Sequence, residues 1–137
     1  MPITTTGYVP NKKVWKKTAN AEIERSGRQT HSEITVHTEL MIAGSAGPFL
    51  ILQDAFPCAE CSAQFITKTT TSKKRKFAPS VAFKITANNG KYSADHELGQ
   101  DYGTFPTYIW YHNGAKTVST TLAGRPAAFP ICPSEDI

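Results

Sequence analysis

Residues 48–61 read Pro48-Phe49-Leu50-Ile51-Leu52-Gln53-Asp54-Ala55-Phe56-Pro57-Cys58-Ala59-Glu60-Cys61, and this stretch decides the fold. Phe49 to Leu52 is a short continuous apolar run, the kind that fills a central strand covered on both faces. Pro57 suits the first turn of a helix, where its missing N–H has no intrahelical partner to lose. A helix is therefore expected from Cys58 to about Lys68. Two cysteines three positions apart in a first helical turn place both sulfurs on one side of the helix end. The helix dipole favours negative charge there, so both thiols ionise more readily than an ordinary cysteine does. Paired thiolates suit zinc, and a catalytic zinc site adds a third protein ligand and leaves one position open.

Upstream, His31 to Ala43 carries Ile34, Val36, Leu40, Met41 and Ile42 with no Gly or Pro before Gly44. That density reads as a largely buried helix, ended by Gly44 and Gly47. His31-Ser32-Glu33 opens it, and His37-Thr38-Glu39 repeats the His-x-Glu pattern within it. A helix begun at His31 has about thirteen residues, near the usual length, whereas one begun at His37 has barely two turns. Six residues turn a helix by about 600°, so the two histidines point about 120° apart and do not share one site. The choice falls on His31 and Glu33, with His37 and Glu39 as the alternative pair.

Working further outward, Ser80 to Ala87 alternates Val81, Phe83 and Ile85 with Lys84 and Thr86, a strand pattern. Thr107 to His112 is a second such strand, Asn113-Gly114 a tight hairpin turn, and Lys116 to Thr121 the returning partner. Thr69 to Lys76 is a polar and basic loop, and Lys91 to Pro106 a long one. Residues 11–26 have two readings, a helix closed by Gly27 or two short strands. The surplus of good helix formers favours the helix. Helix, buried strand, helix, strand, strand describes an α/β layered domain occupying residues 1–137 as one unit.

Composition agrees with one globular domain: 137 residues, 39% hydrophobic and 19% charged. No apolar run is long enough for a membrane span, and the N-terminus has no secretion-signal pattern. A soluble domain is expected, either whole or cut from a longer exported chain. Three cysteines argue against a disulfide framework. A structural four-cysteine zinc site would need a second pair, and only Cys132 remains.

His-x-Glu at one helix start, then a strand, then Pro-Cys-x-x-Cys at the next helix start resembles the cytidine deaminase-like superfamily. The matching residues are His31 or His37, Glu33 or Glu39, and Pro57-Cys58-Ala59-Glu60-Cys61, and the likeness covers about residues 31–85. The resemblance implies a three-layer α/β fold around a central mixed sheet, with a zinc site at the N-termini of two helices. It implies Zn²⁺ held by His31, Cys58 and Cys61, lowering the pKa of a water toward neutrality. Glu33 is then the catalytic acid–base that moves protons to the ring nitrogen and the leaving ammonia. Glu60 is read as a solvated carboxylate at the helix start.

Substrate is read from charge and aromatics. The net charge is +4 and the pI about 9.0, a balance compatible with nucleic acid. The run Lys73-Lys74-Arg75-Lys76 could follow a phosphate backbone. Trp110 and Tyr111 could supply a stacking surface, although strand alternation sends one of them to the core. The expected reaction is deamination of cytosine to uracil in nucleic acid, with single-stranded DNA favoured over duplex. The alternatives are a free cytidine or nucleoside deaminase, an RNA or adenosine deaminase, and a non-catalytic zinc-stabilised module. The compact form with its Pro-rich tail resembles deaminase domains at the C-termini of bacterial polymorphic toxins. That resemblance implies delivery into a rival cell and a cognate immunity protein, and a monomer acting in the cytoplasm is expected.

Overall fold

The computed structural model of the chain describes residues 2–11, 14–24, 32–42, 48–57, 59–69, 78–87, 105–127 and 129. Strand β1 (Pro2–Asn11) pairs with β2 (Val14–Glu24) as an antiparallel hairpin. Helix α1 (Ser32–Ile42), strand β3 (Phe49–Gln53) and helix α2 (Ala59–Lys68) follow. Strands β4 (Ser80–Ile85), β5 (Thr107–His112) and β6 (Ala115–Ser119) lead to a 3₁₀ turn at Leu122–Gly124. The six strands form one sheet in the order β2-β1-β3-β4-β5-β6. β3 and β4 are parallel and joined through α2, and every other pairing is antiparallel, which makes the sheet mixed.

The N-terminal hairpin corrects the helix expected over residues 11–26. Lys, Ala and Glu carry helix preferences of only a few tenths of a kcal/mol each, about 0.7 kcal/mol at most. Pairing with β1, along a register from Pro2–Glu24 to Asn11–Val14, outweighs them. The other strands fall close to their expected places because their signals are local. Asn113 (φ 49°) and Gly114 (φ 86°) both adopt the left-handed region that a two-residue hairpin turn requires.

Both described helices lie on one face of the sheet. Val36 and Leu40 from α1 and Phe65 from α2 share a core with Phe49, Ile51, Val81, Phe83, Ile85, Ile109 and Tyr111. Gly7 lets α1 approach β1 closely, since a Cβ there would meet Val36 Cγ1 at 2.5 Å. On the opposite face Leu50, Ala82, Tyr108 and Trp110 pack with Phe129, and with the partly buried Tyr8 and Leu122. Among the described residues that second face is covered by the 3₁₀ turn and Phe129 rather than by a helix. Arg125 Nη1 donates to the Phe129 carbonyl at 2.6 Å, which ties this short cover together. No helix among the described residues is long and apolar enough to cross a membrane.

Candidate active site

Topology brings the two motif-bearing helix starts to the same end of the sheet. β3 runs from Phe49 toward Gln53, and α2 leaves from beyond that end. α1 runs the other way, toward the beginning of β3, so its first turn also lies at the Gln53 end. Glu33 is in that first turn and is 0% exposed. A buried carboxylate must be hydrogen-bonded, and Gln53 Nε2 donates to Glu33 Oε2 at 3.2 Å.

Gln53 is the hub of this end. Its Nε2 also donates to the Ala55 carbonyl at 2.8 Å, in the segment leading to α2. Its Oε1 accepts from the Thr5 hydroxyl at 2.7 Å. One side chain thus connects β1, α1, β3 and the entry to α2. Strand alternation explains its direction: Phe49 and Ile51 face the helices, and Gln53 continues that row. Neither Gln53 nor Thr5 was expected in the site from sequence. The available signal was a polar residue ending an apolar row on the covered side of a central strand.

Cys61 is buried in the first turn of α2. The next residue, Ser62, is hydrogen-bonded to Tyr111 Oη at 2.6 Å, and Phe65 stacks on the Tyr111 ring at 5.4 Å. These contacts fix the rotation of α2 about its axis beside β5. The other expected zinc ligands, His31 and Cys58, lie outside the described residues, as do Lys73, Lys74, Arg75 and Lys76. Among the described residues no three His, Cys, Asp or Glu side chains are grouped to hold a metal.

The alternative pair, His37 and Glu39, is split by the helix. His37 is buried between Phe49 and Phe65, with ring centroids at 5.4 and 5.6 Å. Its Nε2 accepts the Ala78 backbone N–H at 3.3 Å, so the neutral ring carries its proton on Nδ1. Burial lowers its pKa from the ordinary 6.5 to about 4. Glu39 is exposed. The two side chains therefore leave α1 in different directions.

Trp110 and Tyr111 require a correction. Each is 0% exposed, because the sheet is covered on both sides and consecutive strand residues face opposite layers. Trp110 stacks on Tyr108 at 5.6 Å, and Tyr111 lies beneath α2, so neither offers a ring to a base. Among the described residues the buried Trp110 Nε1 has no hydrogen-bond partner.

His112 forms a second polar cluster, at the start of β4. It is bonded through Nδ1 to Ser80 Oγ at 2.7 Å and through Nε2 to Asn113 Nδ2 at 3.2 Å. The Ser80 hydroxyl and the Asn113 amide thus engage both ring nitrogens. Compared with family models, curated proteins and solved structures, the chain matches none of them.

Proposed function

We propose that this chain is a zinc-dependent deaminase that converts cytosine to uracil in nucleic acid, with single-stranded DNA preferred to duplex. The observation that carries the reading is the placement of Glu33. It is buried at the start of α1 and joined through Gln53 to the segment that opens α2, whose first turn holds Cys61. The described mixed sheet with its two helices is compatible with an α/β fold, and among the described residues both helices lie on one face, so a third, helical layer is part of the proposal alone.

The donor set His31, Cys58 and Cys61 is of the imidazole and thiolate type that zinc prefers, and the buried Cys61 at a helix start fits such a role. Zinc bound there would supply a Lewis acid and make water a nucleophile near neutral pH. Glu33 performs the proton transfers. Its carboxylate accepts a proton from the attacking water and delivers it to the ring nitrogen. A second proton passes by the same group to the amino nitrogen as the C–N bond breaks. Water and the aminopyrimidine become the carbonyl product and ammonia.

The basic run Lys73–Lys76 is proposed to hold phosphates, giving activity that falls steeply with salt. A single strand avoids the few kcal/mol needed to unstack and unpair a base. The likeness to toxin-type domains extends the proposal to a delivered toxin with a cognate immunity protein. The test uses purified protein and labelled oligonucleotides with one cytosine or one adenine, cut at the deaminated base, beside free cytidine. About one zinc per chain, lost in Cys61→Ala, together with cleavage at cytosine supports the proposal. Turnover of free cytidine with no activity on any strand would replace it by a nucleoside deaminase. A fully folded, metal-free wild-type protein would reject the zinc site.

A further inference from the structure

We infer that Gln53 is the positioning residue of the Glu33 carboxylate, and that Thr5 holds the Gln53 amide the right way round. The inference rests on the deaminase reading and extends it to two residues outside the His-x-Glu and Pro-Cys-x-x-Cys motifs.

The orientation of the amide follows from its partners. The Ala55 carbonyl can only accept, so the end of Gln53 facing it at 2.8 Å is the nitrogen. The oxygen then faces Thr5, whose hydroxyl donates to it at 2.7 Å. With both groups satisfied, the second N–H of the same nitrogen points to Glu33 Oε2 at 3.2 Å. Reversing the amide would set an oxygen against the Ala55 carbonyl and against the carboxylate, two repulsive contacts in a buried place. The Ala55 carbonyl therefore selects one of two amide orientations, Thr5 holds it by donating to the amide oxygen, and that orientation presents a donor to Glu33. Thr5, Glu33 and Gln53 are all buried, so the three groups satisfy one another away from bulk solvent.

The bond to Ala55 by itself would suit a simple clamp between β3 and the entry to α2. The bond to Glu33 adds something a clamp does not need. Glu33 comes from a helix, and the strand-borne amide fixes one carboxylate oxygen relative to the sheet. Proton transfer is sensitive to such placement, and a misplacement of about 1 Å can cost roughly 100-fold in rate.

The experiment combines kinetics with an observation of the amide itself. Gln53→Met should lower kcat about 10- to 100-fold while KM stays within about threefold and zinc content is unchanged. Thr5→Val, nearly isosteric, should show a smaller fall in kcat, and Thr5→Ser should restore it. In the double variant Thr5→Val/Gln53→Met the losses should not add, because both act through one amide. In wild-type protein the ¹⁵N side-chain resonance of Gln53 should move on Glu33→Ala and on Thr5→Val. A Gln53 resonance indifferent to Glu33→Ala would overturn the contact. An active wild type whose kcat is unchanged in Gln53→Met and Thr5→Val would overturn the positioning role alone. A wild type inactive on cytosine in every form would overturn the deaminase reading and this role with it, whatever the resonance does.

Discussion

Glu33 and His37 stand four residues apart on α1, both closed to solvent and both polar, yet the protein holds them in opposite ways. Glu33 lies at the helix start and joins a polar network reaching β1, β3 and the entry to α2. His37 lies one turn deeper, edge-on to two phenylalanines, with one backbone N–H as the partner of Nε2. Residues i, i+3, i+4 and i+7 share a helix face, so Glu33, Val36, His37 and Leu40 form a single buried stripe. Position along the stripe decides the chemistry. At the end of the sheet a carboxylate meets the groups that end strands, whereas in its middle an imidazole packs against two aromatic rings and accepts a backbone N–H. The first place ties a carboxylate to the sheet through Gln53, and the second holds a ring in its neutral form.

The largest effect should come from the carboxylate. Glu33→Gln should lower deamination by roughly 10²–10⁴-fold, the usual scale of acid–base catalysis, while zinc and fold persist. His37→Leu should leave turnover within a few-fold of wild type. Turnover that survives Glu33→Gln and collapses in His37→Leu, measured on the same oligonucleotide, would invert the assignment of the two sites.

Acid sensitivity belongs to His37. Its folded-state pKa, about 4, lies below the ordinary 6.5, so the folded protein favours the neutral ring. The stability this gives is fully present above pH 6.5. As pH falls the unfolded chain takes up the proton first, and the contribution disappears between about pH 6.5 and 4. The loss amounts to about 3 kcal/mol at the acid end. Urea unfolding at several pH values should show that slope in wild type and a flatter one in His37→Leu. Equal slopes would mean that other groups carry the acid response.

A mechanical change should disturb both residues together. Gly7→Ala would bring a Cβ to 2.5 Å from Val36 Cγ1 and 2.9 Å from Leu40 Cδ1, neighbours of His37 on the stripe. Valine is stiff at χ1, so α1 must give way, at about 1–3 kcal/mol. Thermal unfolding reads the cost, and an unchanged midpoint would show that the helix has slack. The smallest effect is expected at Glu39, which is exposed. Glu39→Ala should change stability by no more than about 0.5 kcal/mol and leave turnover intact. A large loss of turnover there would favour the second His-x-Glu after all.

The strands were legible where their signals were local. Phe49–Leu52 announced itself as a buried strand, and Thr107–His112 with its Asn113-Gly114 turn was complete in ten or so residues. The hairpin of β1 and β2 was not, because Lys, Ala and Glu between Asn11 and Glu24 read locally as helix. Trp110 and Tyr111 misled for a related reason. Alternation showed that they face opposite ways, but not that both faces would be covered.

The sequence by itself determined the order of helices and strands from Ser32 to Ser119, the His-x-Glu and Cys-x-x-Cys spacings, and the helical turn that carries Glu33. These depend on interactions within about four residues, which any stretch of chain carries with it. The tertiary structure decided that residues 2–11 and 14–24 pair as strands, that Glu33 is buried while Glu39 is exposed, and that Gln53 and Thr5 join Glu33 in one buried network. The Gln53 contacts span 20 residues to Glu33 and 48 to Thr5. Such contacts arise only once β1 has taken its register against β3, because a hydrogen bond needs two groups brought within about 3 Å, and no local preference specifies a meeting between distant parts of the chain.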